Sequence, residues 1–176
     1  MEFTSVVKRI DNLGRIVLPK DVRKKLKLNE NDEVEIIIKE DNTVVLKKYC
    51  VIEEYEQECV ALVKLLKNII RDEIIITDNC KVCVCSNNEY VEKELSPEYI
   101  EFLSERKVGE EKNLPTSSIL DKISGLYTKI LVPIIVDSAV IGAIAVFSKD
   151  RRDTLDDTEK EIIKFVSSIL SCKINT

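Results

Sequence analysis

Val6-Val7-Lys8-Arg9-Ile10-Asp11-Asn12-Leu13-Gly14-Arg15-Ile16-Val17-Leu18-Pro19-Lys20-Asp21-Val22-Arg23-Lys24 holds two apolar runs, a turn and a basic helix start. Residues 5–10 read as a short strand. Asp11-Asn12-Leu13-Gly14 reads as a turn, because Asx residues and glycine tolerate the backbone angles that turns need. Arg15 to Leu18 reads as a second strand. Pro19 then sits where a helix begins, a position at which its missing N–H costs nothing. The helix is expected to run to about Leu26. Val22 and Leu26 mark its apolar side. Lys20, Arg23, Lys24 and Lys27, spaced i, i+3, i+4 and i+7, mark another face.

Moving outward, Asn29-Glu30-Asn31-Asp32 is a polar turn. Residues 33–39 form a strand with Val34, Ile36 and Ile38 on one side. Glu40-Asp41-Asn42 turns the chain, and Thr43 to Lys48 returns as a hairpin partner. The unit is β-β-α-β-β in under fifty residues. A core that small is marginal without disulfides, metal or oligomerisation. No cysteine precedes Cys50. Two copies sharing one core is the remaining remedy.

Charge points the same way. Residues 1–27 carry eight basic side chains against Glu2, Asp11 and Asp21, a balance of +5 within a chain of net charge −5. A basic end on an acidic body suggests an anionic partner at one end. Doubled by two-fold symmetry, Lys8, Arg9, Arg15, Lys20, Arg23 and Lys24 would make a wide positive surface. Such a surface gains affinity by releasing counterions from DNA phosphates.

This string resembles the swapped-hairpin DNA-binding domain of AbrB-type transition-state regulators. The Leu13-Gly14-Arg15 to Pro19 pattern and the closing Val45-Leu46-Lys47-Lys48-Tyr49 carry the resemblance, which covers residues 1–50. It implies an interleaved dimer that binds double-stranded DNA, with Lys8, Arg9, Arg15, Arg23 and Lys24 at the contacting positions. Some family members carry arginine at positions 8 and 24. Lysine keeps the charge without the bidentate fork, so these two are assigned to phosphate.

Beyond residue 50 the expectation is an α/β domain. Residues 52–70 read as a helix joining it to the first domain. Ile52, Tyr55, Cys59, Leu62, Leu66 and Ile69 form a heptad seam that suits dimerisation, while Val63 and Ile70 suit packing on its own domain. Strands are expected at Glu73–Thr77, Lys81–Ser86, Tyr127–Val136 and Val140–Ser148. Pro133 hints at an edge or bulge. A helix opens at Ser96-Pro97 and runs to about Arg106. A last helix starts at Asp156 with Glu159 as its capping-box partner and buries Ile162, Ile163, Phe165, Val166, Ile169 and Leu170. The order is similar to a GAF-like domain.

The expected fold is therefore α+β: residues 1–50 as a swapped-hairpin β-barrel dimer, joined by the 52–70 helix to a GAF-like regulatory and oligomerisation domain over 51–176. The resemblance implies a transcription regulator controlling forespore genes during sporulation, as a homodimer or homotetramer. A small-molecule effector could enter between the central sheet and residues 87–125, although no cyclic-nucleotide or chromophore signature names one. An antitoxin, or a sensor acting mainly through its C-terminal domain, are the rival readings.

The sequence has no histidine. That removes Ser-His-Asp and Cys-His catalysis and the commonest zinc ligand. No enzyme, catalytic residue, cofactor or metal is expected. Cys80-Lys81-Val82-Cys83-Val84-Cys85 could bind zinc or cycle redox state, but a closed zinc site needs four ligands and no second Cys-x-x-Cys exists. Cys83 and Cys85, two apart on a strand, should share a face and pack in the core. The pairs Glu53-Glu54, Glu110-Glu111 and Asp156-Asp157 read as solvated surface. No apolar run reaches membrane length and no signal peptide opens the chain, so the cytoplasm is the expected address.

Overall fold

A computed structural model describes residues 5–28, 30, 32–152 and 154–175. The chain divides into two compact units, the first ending at Tyr49 and the second starting at Cys50.

In the first unit, α1 spans Lys20–Lys25, β1 Val34–Ile38 and β2 Val44–Lys48. The two strands pair antiparallel, with Ile36 opposite Leu46. Pro19 is the N-cap rather than the first helical residue. The helix also ends sooner than its sequence suggests. Lys27 adopts a left-handed φ of 52°, and Leu28 N–H donates to the Arg23 carbonyl at 2.8 Å, which closes the helix as a Schellman turn. Lys27 therefore leaves the face shared by Lys20, Arg23 and Lys24. The expected turn at 29–32 lies partly outside the described residues.

The strands expected at 5–10 and 15–18 form no ladder among the described residues. A strand needs a neighbour, and the single chain offers these two none beyond the Asp11 N–H bond to the Arg15 carbonyl. The apolar face of β1 is likewise uncovered, with Ile36 66% and Ile38 73% exposed. Among the described residues of this unit, Leu28 is the only buried apolar side chain.

The second unit contains α2 (Val51–Glu54), α3 (Glu56–Leu66), β3 (Glu73–Thr77), β4 (Val82–Cys85), a 3₁₀ turn at Asn88–Tyr90, α4 (Pro97–Ser104), β5 (Gly109–Glu110), β6 (Tyr127–Val136), β7 (Ala139–Ser148) and α5 (Asp157–Ile174). Its antiparallel sheet runs β4-β3-β7-β6-β5. The β6–β7 hairpin turns on Asp137 and Ser138, both at positive φ as a two-residue hairpin loop demands. Pro133 sits where β6 pairs with β7 alone, since β5 reaches only Ile130 and Leu131. Its missing N–H therefore breaks no second ladder.

Apolar layers cover both faces of the sheet. On one face Ile52, Cys59, Val63, Leu66 and Ile70 pack with Ile163, Val166 and Leu170. On the other, Tyr90, Leu95, Tyr99, Phe102, Ile119 and Leu120 pack on Ala145 and Phe147. The expected 52–70 helix breaks at Tyr55 and ends at Leu66. It buries Val63 and Ile70 against its own sheet and leaves Ile69 of the heptad seam exposed. On α5 the capping box forms, with Glu159 N–H donating to Asp156 Oδ1 at 2.7 Å and Asp156 N–H to Glu159 Oε2 at 2.9 Å. Phe165 and Ile169, expected inside, are exposed. They lie off the stripe that Ile163, Val166 and Leu170 turn to the sheet. Ser96 occupies the N-cap of α4 but makes no side-chain cap bond.

Candidate nucleic-acid interface

The expected contact residues fall on three local segments of the first unit. Lys8 and Arg9 are exposed on the stretch before the turn, Arg15 closes the turn, and Lys20, Arg23 and Lys24 are exposed on α1. Among the described residues, only Arg15 of these six makes an ion pair.

Asp11 organises that turn. Its Oδ1 accepts from the backbone N–H of Leu13 at 3.0 Å and of Arg15 at 2.8 Å, and its Oδ2 accepts from Arg15 Nε at 2.8 Å. Gly14, at φ +78°, supplies the left-handed residue that lets the chain double back. The Arg15 backbone and side-chain bonds hold the Asp11 carboxyl below its ordinary range. Only Nε of the guanidinium is used, so its forked end stays directed by a fixed stem. In the sequence Asp11 reads only as a turn residue. The signal that marks it further is a carboxylate four positions before the key arginine. Farther on, Arg23 and Lys24 occupy the last turn of α1, where positive charge also suits the helix dipole.

Between the sheet and residues 87–125, where an effector is expected to enter, Tyr90, Leu95, Tyr99 and Phe102 form an apolar layer. A cavity of about 370 Å³ lies at its rim, lined by Lys112, Thr116, Tyr127, Thr128, Lys129 and Arg151 among others. Lys129 is buried, and its Nζ donates to the carbonyls of Asp150 and Arg151 at 3.3 Å each.

Of the paired carboxylates, Glu54, Glu111, Asp156 and Asp157 are exposed as expected, while Glu53 and Glu110 are half-buried in ion pairs. Glu110 meets Lys164 at 3.2 Å and Lys160 at 3.5 Å, which lowers its pKa. Glu53 meets Lys81 at 2.9 Å. The cysteines also depart from expectation. β4 carries one residue more than β3 opposite it, with Val84 paired to Ile76 and Val82 to Thr77. Cys83 is the extra residue, so it packs on the face covered by α3 and α5 while Cys85 joins the layer under α4. Cys83 lies 3.8 Å from Cys50, sulfur to sulfur. Burial holds the Cys59 thiol at about 12.

Comparison with known proteins agrees with this division. The family model described as stage V sporulation protein T C-terminal, transcription factor, matches residues 53–175. The model described as antidote-toxin recognition MazE, bacterial antitoxin, matches residues 7–49. Stage V sporulation protein T of Bacillus subtilis (strain 168) is 29% identical over 177 residues, covering 97% of each chain. The transition state regulatory protein AbrB of the same organism is 41% identical over 49 residues, 28% of this chain and 50% of the relative. A solved GAF domain/HD domain protein from Geobacter sulfurreducens shares the fold with a TM-score of 0.51 at 16% identity, over 69% of this chain and 92% of that one.

Proposed function

The chain belongs to the stage V sporulation protein T C-terminal transcription factor family, and we propose how such a DNA-binding regulator divides its work. Residues 1–50 dock on double-stranded DNA, and residues 51–176 set the assembly and its response. The observation that carries this is the Asp11–Arg15 turn. A carboxylate fixes the stem of an exposed arginine, which is what a base-reading group requires before it meets a groove. Arg15 and Arg23 read the groove, while Lys8, Arg9, Lys20 and Lys24 bind phosphate. On this reading the protein works in the cytoplasm beside its duplex, performs no catalytic chemistry and acts on forespore genes.

Two copies would share the first unit's core. Val7, Val17, Ile36 and Ile38 are all exposed in the single chain, a burden that a partner strand layer would remove. The second unit leaves Leu65 and Ile69 of the α3 region and Phe165 and Ile169 of α5 exposed, which suits a further pairing of dimers. The antitoxin reading fits poorly, because the region after residue 50 is a folded sheet and not an extended toxin-binding tail. For an effector, the rim cavity is lined by Lys112, Arg151 and the Lys129–Glu111 pair at 3.8 Å, a net positive lining that favours an anionic small molecule.

Anisotropy titrations on a duplex selected from a random library, repeated across salt concentrations, test the DNA reading. Affinity should fall steeply with salt. Arg15→Ala should weaken specific binding by about 1–3 kcal/mol for each bidentate arginine–base pairing it removes, with the oligomer intact. Unchanged binding by this variant would remove Arg15 from the interface.

A further inference from the structure

Cys50, Asp78 and Cys83 come together although 33 positions separate the two cysteines. Their ligand atoms all lie within 4.8 Å of one another. We propose that this trio is a binding site for a divalent zinc-class ion, with the fourth coordination position open to water or an exogenous ligand.

The spacing fits a metal site. Two thiolates bound to one tetrahedral zinc at about 2.3 Å stand about 3.8 Å apart. Cys50 Sγ and Cys83 Sγ stand 3.8 Å apart with no ion between them. A disulfide would need about 2.05 Å, so the pair rests at the edge length of a coordination tetrahedron and not at bonding distance. Two soft sulfurs and one carboxylate form a donor set that suits zinc and disfavours calcium or magnesium, which take oxygen ligands.

Each ligand is held by a separate local device. Cys83 is the extra residue of the β4 bulge, and bulges re-aim a side chain next to functional sites. Without the bulge, Cys83 and Cys85 would share a face and Cys83 would not meet Cys50. Asp78 is fixed by its Oδ1, which accepts the backbone N–H groups of Cys80 and Lys81 at 2.6 Å each. Asn79 anchors the same connection through its Nδ2 bond to the Val140 carbonyl at 2.8 Å. Cys50 is buried at the N-cap of α2, the first residue of the second unit. An ion here would tie the point where the chain enters that unit to the β3–β4 connection. Three protein ligands and an open position describe an exchangeable site, in contrast to the closed four-ligand sites that only brace a fold.

Cobalt(II) reports on such a site directly. Titrating the reduced full-length protein with cobalt under anaerobic conditions should give one equivalent per chain with the intense visible bands of tetrahedral thiolate ligation. Zinc should then bleach them. The bands should be lost in Cys50→Ala and in Cys83→Ala, shift in Asp78→Asn, and persist unchanged in Cys172→Ser. Zinc X-ray absorption on the unaltered chain needs no variant to fold. It should show two sulfurs at about 2.3 Å and lighter ligands at about 2.0–2.2 Å. Absent bands, bands that survive either alanine variant, or a shell without two sulfurs would overturn the site.

Discussion

The role proposed for Arg15 depends on how Asp11 holds it. The carboxylate takes two backbone N–H bonds and the guanidinium Nε. Its pKa is lowered from the ordinary 3.8, first by the Arg15 backbone bond, then by the Arg15 side chain. A depressed carboxyl contributes stability that is present above its unfolded pKa and lost as pH falls through the folded value. The turn should therefore stay formed above about pH 4 and loosen below it. Carboxyl NMR titration should place the Asp11 midpoint under 3.8, and Arg15→Ala should move it only part of the way back, because the backbone bonds remain. A midpoint at or above 3.8 in the parent would mean that Asp11 does not fix the arginine. On the DNA side, Asp11→Ala should weaken binding while leaving every positive charge in place, which separates positioning from charge.

The strands of the second unit show how far pattern carries and where it stops. Gly142 interrupts an apolar run in β7, and the sequence offers no reason for it. In the fold, a Cβ at Gly142 would lie 1.9 Å from the Thr77 carbonyl oxygen on the neighbouring β3. Backbone, not a flexible side chain, stands in the way. Gly142→Ala should destabilise the second unit by about 1–3 kcal/mol or more, read as a shift in the denaturant midpoint; a shift below about 0.5 kcal/mol would show that the β3–β7 pairing yields easily. The long elements were legible: β6 spans the expected residues, and the Asp156–Glu159 capping box starts α5 one turn before its buried stripe. What failed depends on context. Phe165 and Ile169 look as apolar as Val166 and Leu170, and only the sheet's position separates them. Cys83 and Cys85 look equivalent until a bulge sends them to opposite faces. Cys50 meets Cys83 through tertiary folding that no spacing rule encodes. The candidate DNA contacts were legible as charges on a turn and a helix, whereas the bond from Arg15 to the Asp11 carboxylate was not.

The two units should behave differently as molecules because their cores differ. The second buries apolar layers on both faces of a five-stranded sheet, enough for a fold that does not need a partner. In the first, Val6, Val7, Ile10, Leu13, Ile16, Val17, Ile36, Ile38 and Val44 are exposed while Leu28 alone is buried among described residues. At about 25 cal/mol for each Å² of apolar surface, leaving such a set in water forfeits most of what a unit of this size can gain by folding. Residues 50–176 expressed alone should therefore stay folded as a monomer on dilution, and any rise of the midpoint at high concentration should vanish in Phe165→Glu. Residues 1–49 should fold only as a dimer, with a midpoint that rises with protein concentration as linked association requires. Ile36→Asp should remove that transition by placing a charge in the shared core. Phe165→Glu should leave it intact and act only on any larger assembly of the full chain. Sedimentation velocity with circular dichroism at several concentrations distinguishes these outcomes. A folded monomer of residues 1–49 would break the link between exposed strands and pairing, and with it the doubling of the positive surface from which tight, salt-sensitive DNA binding follows.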